Sequence, residues 1–433
     1  MSAATAVSDV GRVEVRDHAD VQRQIKLVVV YAVVALAVLA FLLTTSDPTI
    51  WYTLDERLNR KENPPVEANG LFVLWPALAV SVVALALAAL NRVPRDWRGM
   101  VLHLLVGVAF FAGFLVWVYA DQERAGSIVM TNPLPGTVRL ATPLIFGALA
   151  GVMCERAGVI NIAIEGQFLM GAFFASVASS LAFNAEMGLL GGVLAGLAMA
   201  ALLGVFAMRY LVNQVVLGVV LIALATALTS FLLSQIPNDP EIKAYLNEPL
   251  ILPRIEIPVL SDIPLLGNTL FNQTLLVYLM YASVALVSWL LFQTKWGLRV
   301  RSVGEHPKAA DTVGIKVNRV RWQAVLLGGV FAGLGGAYFT VGSTGSFDNG
   351  ASAGNGFIAL AAVIMGRWHP FFASMAALFF GFMWTLQSQL SFLDKIPGEL
   401  LRASPYLATV IAVAGFVGQV RPPAADGEPY VKS

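Results

Sequence analysis

Charge is what this sequence has least of. Lys, Arg, Asp and Glu make up 13 % of its 433 residues, against about 25 % in a soluble domain. A chain so poor in charge cannot cover a water-facing surface of this size. Cysteine is nearly absent too: Cys154 stands alone, which excludes an internal disulfide and a cysteine-cluster metal site. His306 and His369 sit beside prolines and suggest no metal site either. A net charge of +1 without a basic block outside the loops argues against a nucleic-acid partner. No G-x-x-x-x-G-K-[ST] run occurs, so the chain does not bind ATP in the P-loop manner. Nor is there a soluble catalytic domain, so the chain is not expected to act as an enzyme by itself.

What fills the chain is apolar: residues of the AVILMFWYC set make up 57 %. Runs approaching the roughly 20 residues needed to cross a bilayer as helix occur at 27–43, 71–90, 100–120, 140–154, 168–183, 188–208, 215–234, 274–292, 322–341 and 371–390. Two shorter runs, 357–365 and 405–417, suit broken, tilted or re-entrant segments. None alternates as a barrel strand would. The expected fold is all-α, a polytopic integral membrane protein with about 11–12 transmembrane segments in the lipid bilayer.

Lys and Arg set the expected orientation. Arg12, Arg16, Arg23 and Lys26 precede the first span, and Arg92, Arg95 and Arg98 follow the second. Residues 295–321 hold seven basic residues against Glu305 and Asp311, whereas 235–273 hold five acids against Lys243 and Arg254. Both termini and the basic loop therefore face the cytoplasm, with the acidic loop outside. The first span is too long for a signal-peptide core, and no small-x-small cleavage site follows it.

Texture changes along the chain. Residues 1–24 read as a cytoplasmic tail, 25–136 as an extension with three transmembrane helices, 137–420 as the core and 421–433 as a cytoplasmic C-terminal tail. The extension spans are plain Ala/Leu/Val, whereas the later ones are rich in Gly, Ser, Thr and Asn, which lets helices approach closely. Function is expected after the break. Gly147-Ala-Leu-Ala-Gly151 and Gly329-Val-Phe-Ala-Gly333 share G-x-x-A-G, and each is followed by a glycine opening a new apolar run, Gly166 and Gly356. An inverted repeat would look like this, and so would a chance match among many glycines.

Three stretches carry candidate chemistry. Residues 154–167 place Glu155, Arg156, Asn161 and Glu165 between two spans, where a carboxylate costs about 2.5–3.5 kcal/mol if it enters the bilayer. Glu155 and Arg156 are expected in a short solvated turn. Asn161 and Glu165 fit either a polar hinge on a pathway, bent at Gly158 and Gly166, or ordinary helix capping. In the basic loop, Pro307 opens and Gly314 closes a short helix, whose Ala309 and Ala310 would let a partner pack closely, although charge alone favours an ordinary positive-inside loop. Residues 347–370 run from a glycine-rich loop into a short apolar helix and out through Gly366-Arg-Trp-His-Pro. They fit a pathway lining with Phe347, Asn355 and Phe357 near the outer mouth and hinges at Gly356 and Gly366, or equally an outer loop and a tilted helix. His103, in an apolar helix, is expected to pack helices together.

Taken together, Glu155–Gly166, Val303–Ile315 and Gly356–Pro370 resemble the permease subunits of bacterial nucleoside and simple-sugar ABC importers, within the wider branched-chain amino acid/ribose permease family. The resemblance runs from about Thr137 to the C-terminus, including Gly427-Glu-Pro-Tyr-Val-Lys432. It implies a bacterial inner-membrane permease, paired with a second homologous permease, an ABC ATP-binding subunit and an extracytoplasmic substrate-binding (lipo)protein. ATP and Mg²⁺ would lie on those partners, and no cofactor on this chain. It also recasts the helix after Pro307 as the element coupling to the ATPase, carried by Gly304, Glu305, Pro307, Ala309, Ala310 and Gly314. Nucleosides are the implied cargo, with simple sugars such as ribose as the alternative. An ion-coupled secondary transporter is the reading from another class, and it would call for intramembrane Asp/Glu/His pairs. Family members usually begin near Thr137, which leaves residues 1–136 without a counterpart.

Overall fold

A computed structural model describes residues 18–53, 66–120, 128–129, 133–236, 239–263, 266–391, 397–411 and 421–431. Arg12, Arg16, Lys432 and residues 412–417 of the last apolar run lie outside the described residues. The chain divides into two compact units, one of residues 1–130 and one that takes in nearly everything from 131 onward.

The first unit holds α1 (His18–Thr44), α2 (Leu71–Ala89) and α3 (Trp97–Tyr119), with strands β1 (Thr49–Thr53), β2 (Val66–Asn69) and β3 (Ile128–Val129). β2 pairs antiparallel and β3 parallel to β1. Asp96 caps α3, its side chain accepting from the Arg98 N–H at 3.1 Å. Small clusters hold the helices together, such as Tyr31 with Ala84, Ala88, Val93 and Val106. His103 ties its own Gly99 carbonyl to the Tyr31 hydroxyl, 3.3 Å away on α1. It packs helices, as its setting suggests. Most of the remaining surface, including Phe72, Trp75, Met100, Leu104 and Val108, is exposed and apolar.

The second unit holds α4 (Pro133–Glu155), α5 (Ile164–Ala182), α6 (Ala185–Gly204), α7 (Gln214–Ser234), α8 (Pro240–Asn247), strands β4 (Arg254–Glu256) and β5 (Asn272–Thr274), α9 (Leu275–Gln293), α10 (Lys295–Glu305), α11 (Pro307–Thr312), α12 (Val317–Tyr338), α13 (Asn355–Met365), α14 (Pro370–Leu390) and α15 (Gly398–Ile411). Among the described residues ten helices are long and apolar enough to cross a membrane: α1–α7, α9, α12 and α14. α13, with 11 residues, is the short apolar helix expected there.

α4, α5 and α12 form the centre, and glycines let them close up. A Cβ on Gly196 of α6 would lie 2.3 Å from the Gly329 carbonyl oxygen, and one on Gly333 of α12 the same distance from that of Gly192. These helices touch backbone to backbone, the close approach that replaces hydrophobic driving force in lipid. Packing is also reciprocal. α4 lies against α13 and α14, α12 lies against α5 and α6, and α4 and α12 meet each other. Two runs of three helices, α4 to α6 and α12 to α14, thus exchange partners.

Candidate functional site

α5 opens inside the bundle. Ile164 and Phe168 lie against Gly147 of α4, eight residues before the end of that helix and therefore about 12 Å from it at 1.5 Å per residue. The chain reaches this depth by a left-handed turn at Gly158 (φ +81°) and a rise through Val159–Asn161. α13 opens at the same level: a Cβ on Gly356 would lie 2.4 Å from the Glu165 nitrogen, and one on Gly147 2.7 Å from the Ala359 Cβ. α5 and the short α13 therefore bring their N-termini together within the membrane-spanning bundle.

Glu165 joins them. Its carboxylate accepts from Ser352 Oγ at 2.6 Å, from the Gly354 N–H at 2.8 Å and from the Gly356 N–H at 2.7 Å. Bonds to a charged acceptor contribute about 1.5–3 kcal/mol each, so three outweigh the about 2.5–3.5 kcal/mol cost of a carboxylate at membrane depth. The positive end of the α13 dipole adds to them. Beside it, Asn161 donates to Gln167 Oε1 at 3.1 Å, and Asn355 donates to the Ser352 carbonyl at 2.7 Å. Asn161 Oδ1, Gln167 Nε2 and Asn355 Oδ1 are buried without a hydrogen-bond partner. The junction thus carries spare polar capacity, which a dry core of this kind rarely tolerates.

The expected pathway residues separate. Glu165 and Asn355 meet at the junction, so Asn355 lies inside the bundle and not at an outer mouth, whereas Asn161 turns to Gln167 and Cys154 instead. Phe347 is buried, edge-on to Phe173 at 5.2 Å, and its backbone N–H and C=O are both held by the Asn247 side chain. Phe357 is half exposed and belongs to a different face. Of the four expected hinges only Gly158 has a left-handed backbone. Gly166 packs on Leu221 and Ile222 of α7, and Gly366 on Ala373. Space for a neighbouring helix, not bending, explains those glycines.

A second cluster lies where α4 ends and α12 begins. Glu155 and Arg156 do not sit in the expected solvated turn. Glu155 is buried and accepts from Trp368 Nε1, while Arg156 donates to the Trp368 carbonyl at 2.8 Å and the Arg367 carbonyl at 3.3 Å. Arg367 and Trp368 both have positive φ, +53° and +54°, a conformation that costs non-glycine residues about 1–3 kcal/mol each. The Glu155–Arg156 pair clamps this strained turn between α13 and α14. Burial lowers the Arg156 pKa, partly offset by Glu305. Arg321, expected among the loop charges, is instead 1 % exposed, donating to the Glu428 carbonyl at 2.8 Å.

α11 runs Pro307–Thr312 with Pro307 in its first turn, and Gly314 (φ +83°) follows it, as its punctuation predicts. Ala310 is buried in the chain's own core, and Gly304 packs on the Arg156 carbonyl. Neither is available to a partner. The exposed positions here are Glu305 at the end of α10, His306, Lys308, Ala309, Thr312, Val313 and Gly314. Among the described residues no group of three His, Cys, Asp or Glu could hold a metal ion.

Asn247, Gln214 and Trp368 are contributors that sequence reasoning missed. Gln214 Oε1 accepts from the Ile160 N–H at 2.7 Å and steadies the rising segment before α5. Each is a lone polar or aromatic residue at the end of an apolar run, a setting shared by many residues without a role.

Known proteins share this architecture's sequence. A family model described as branched-chain amino acid transport system / permease component matches residues 134–417. The chain is similar to a guanosine ABC transporter permease protein of Bacillus subtilis, NupQ, with 39 % identity over 70 % of this chain and 98 % of the relative. It is equally similar to a nucleoside ABC transporter permease protein of Lactococcus lactis, NupC, at 39 % over 68 % of this chain and 94 % of the relative. A putative glucose ABC transporter permease protein of Haloferax volcanii, TsgC13, shares 34 % over 59 % of this chain and 76 % of its own. No solved structure matches the chain. With the ten apolar helices, the match identifies a multi-pass membrane protein that belongs to the branched-chain amino acid transport system / permease component family.

Proposed function

We propose that this chain is the membrane-spanning permease of an ABC importer that carries nucleosides across the bacterial inner membrane. The single observation behind the substrate class is 39 % identity along nearly the whole length of two permeases named for guanosine and nucleosides. The energy source follows from the same names and from the missing P-loop: ATP is hydrolysed on a separate ATP-binding subunit. A second homologous permease and an extracytoplasmic binding protein complete the assembly. The basic loop supports an orientation with α10, α11 and both termini in the cytoplasm.

In this reading Glu305 at the end of α10 and Ala309 on the exposed face of α11, which Pro307 opens, dock on the ATPase, while buried Gly304 and Ala310 seat the helix and Gly314 closes it with a left-handed turn. The Glu165–Asn355 junction, with Asn161 and Gln167 beyond it at the start of α5, is the part of the pathway that opens during transport. Its unpartnered amide atoms suit the hydroxyl and base-edge groups of a nucleoside. Simple sugars are a second reading, favoured by the Haloferax relative. The test is uptake of labelled guanosine in cells lacking this chain and in cells with it restored, with unlabelled nucleosides and ribose as competitors. Loss and rescue, competed by nucleosides and not by ribose, is the expected result. Competition by ribose alone would move the substrate to sugars.

A further inference from the structure

Residues 421–431, more than a hundred positions from their contacts, dock on the end of the bundle that carries α11. The Ala425 N–H donates to the Gly304 carbonyl at 2.9 Å, and the Ala424 N–H to the Glu305 carboxylate at 3.2 Å. Tyr430, buried, comes near Asp311 on α11 itself. On its other side the same segment presses on the turn that leads to α5. Gly427 (φ +78°) lies so close to Ile160 that a Cβ would be 2.6 Å from its Cδ1, and the Ala425 carbonyl would be 2.9 Å from a Cβ on Gly158. Arg321 Nη1 fixes the Glu428 carbonyl between the two.

We infer that this C-terminal segment is a transmission strap, through which displacement of α11 reaches the rising segment Gly158–Asn161 and so the Glu165 junction. The contacts form an unbroken chain: α11 and its joint to α10, then the strap, then Gly158 and Ile160, then Ile164 and Glu165. A chain of packed groups transmits only if it has two arrangements to choose between. The strap pocket holds the means for a second one. Arg321 Nε and Nη2 and Asp426 Oδ1 are all buried without a hydrogen-bond partner. Opposite charges in one pocket that leave donors and an acceptor unused gain a pairing when the strap shifts. Arg321 is thus a positioning residue, acting on the junction through the strap.

The inference rests on the reading of the chain as an ABC importer permease. It is tested in proteoliposomes holding the assembled transporter, by measuring solute uptake and ATP hydrolysis together. If the unaltered complex does not couple the two, the functional reading fails, not the strap. With the coupled complex in hand, deletion of residues 421–433 is expected to leave ATP hydrolysis near its unaltered rate and to lower solute moved per ATP by about tenfold. An unchanged ratio, or a proportional fall of both rates, would overturn the inference, because a purely structural loss moves both alike. A second variant does not depend on the shortened chain folding. In full-length protein with Cys154→Ser, a cysteine pair at Ile160→Cys and Glu428→Cys, one position partly and the other well exposed, beside the contact of Gly427 with Ile160, is joined by a short bifunctional reagent. Uptake is expected to survive, since the strap and the rising segment move as one. Blocked uptake, restored by cleaving the reagent, would show that the strap has to detach, and would overturn the inference.

Discussion

The two units of this chain are both built of apolar helices, yet they are packed in different ways. In α2, five residues are buried: Leu74, Ala77, Ser81, Ala84 and Ala88. They recur every three to four positions and make one stripe, the pattern of a helix with a single protein-facing side. In α4 every residue from Ala141 to Glu155 is buried, so the helix has no lipid face over that length. The first unit fills its contacts with aromatic rings, such as Phe41 stacked on Trp117 at 5.0 Å. The second uses glycines whose backbones touch, and buries a carboxylate against one of them, Gly356, with three buried amides elsewhere in its core. Anchoring needs only the first kind of packing. Movement between two close-packed arrangements needs the second, because small residues and polar junctions let helices meet in more than one way.

The largest effect that would sharpen this contrast comes from a matched pair of substitutions. Gly333→Val drives a branched side chain into the Gly192 carbonyl and the Val193 backbone, whereas a Cβ on Gly107 of α3 meets nothing within 4 Å. Gly333→Val is expected to cost about 3 kcal/mol or more and Gly107→Val almost nothing, read as thermal stability in detergent. Equal losses would break the comparison. Next in size is Glu165→Ala, which leaves Ser352 Oγ and two backbone N–H groups without an acceptor. Each buried donor left unmade costs about 1–3 kcal/mol, and uptake should fall with it. Glu67→Ala, at an exposed position in β2, is the control and should stay within about 0.5 kcal/mol.

A smaller effect follows from the strap. Burial pushes Asp426 up to about 7, against the opposing pull of Arg321 and of a backbone hydrogen bond from Gly427. A carboxyl whose pKa is raised by docking favours the docked form when protonated. That contribution is complete below the ordinary carboxylate range and is lost as pH rises through about 7. Thiol labelling of Ala425→Cys, at a buried position, should therefore speed up as pH rises from 5 to 8, beyond the rise seen with Asp426→Asn also present. Identical pH profiles for the two would remove Asp426 as the cause. The smallest expected effect is that of removing residues 1–130. The family match begins at residue 134, and uptake by the remaining chain should stay close to normal once it is inserted. Complete loss of uptake in a correctly inserted chain would place function in the first unit as well.

Much of this was legible before the fold was known. Apolar run lengths find the ten long helices, most of them to within a few residues, although α1 begins nine residues before its run and α4 seven before its own, and Pro307 with Gly314 marks α11 almost to its ends, because those residues act through their own backbone. The polar stretch 154–167 is rightly singled out for the cost of a carboxylate near the bilayer. Partners are not legible. Glu155, Arg156 and Arg321 look solvated in any local window, since Trp368 and Glu428, which cover or hold them, lie 213 and 107 residues away. Ala310 and Gly304 look like a docking surface because small residues suit any close contact, and only the fold shows that the contact is with the chain itself. Asn247 gives no sign of the Phe347 backbone it holds.

The most direct test of the central claim is accumulation of labelled guanosine in proteoliposomes containing the assembled transporter, with its binding protein present. ATP, or ATP withheld and an ion gradient supplied in its place, provides the two conditions. The account predicts accumulation that requires ATP and its hydrolysis, is indifferent to the gradient, and is lost with Glu165→Ala. Accumulation driven by the gradient without ATP would contradict it and make the chain a secondary transporter.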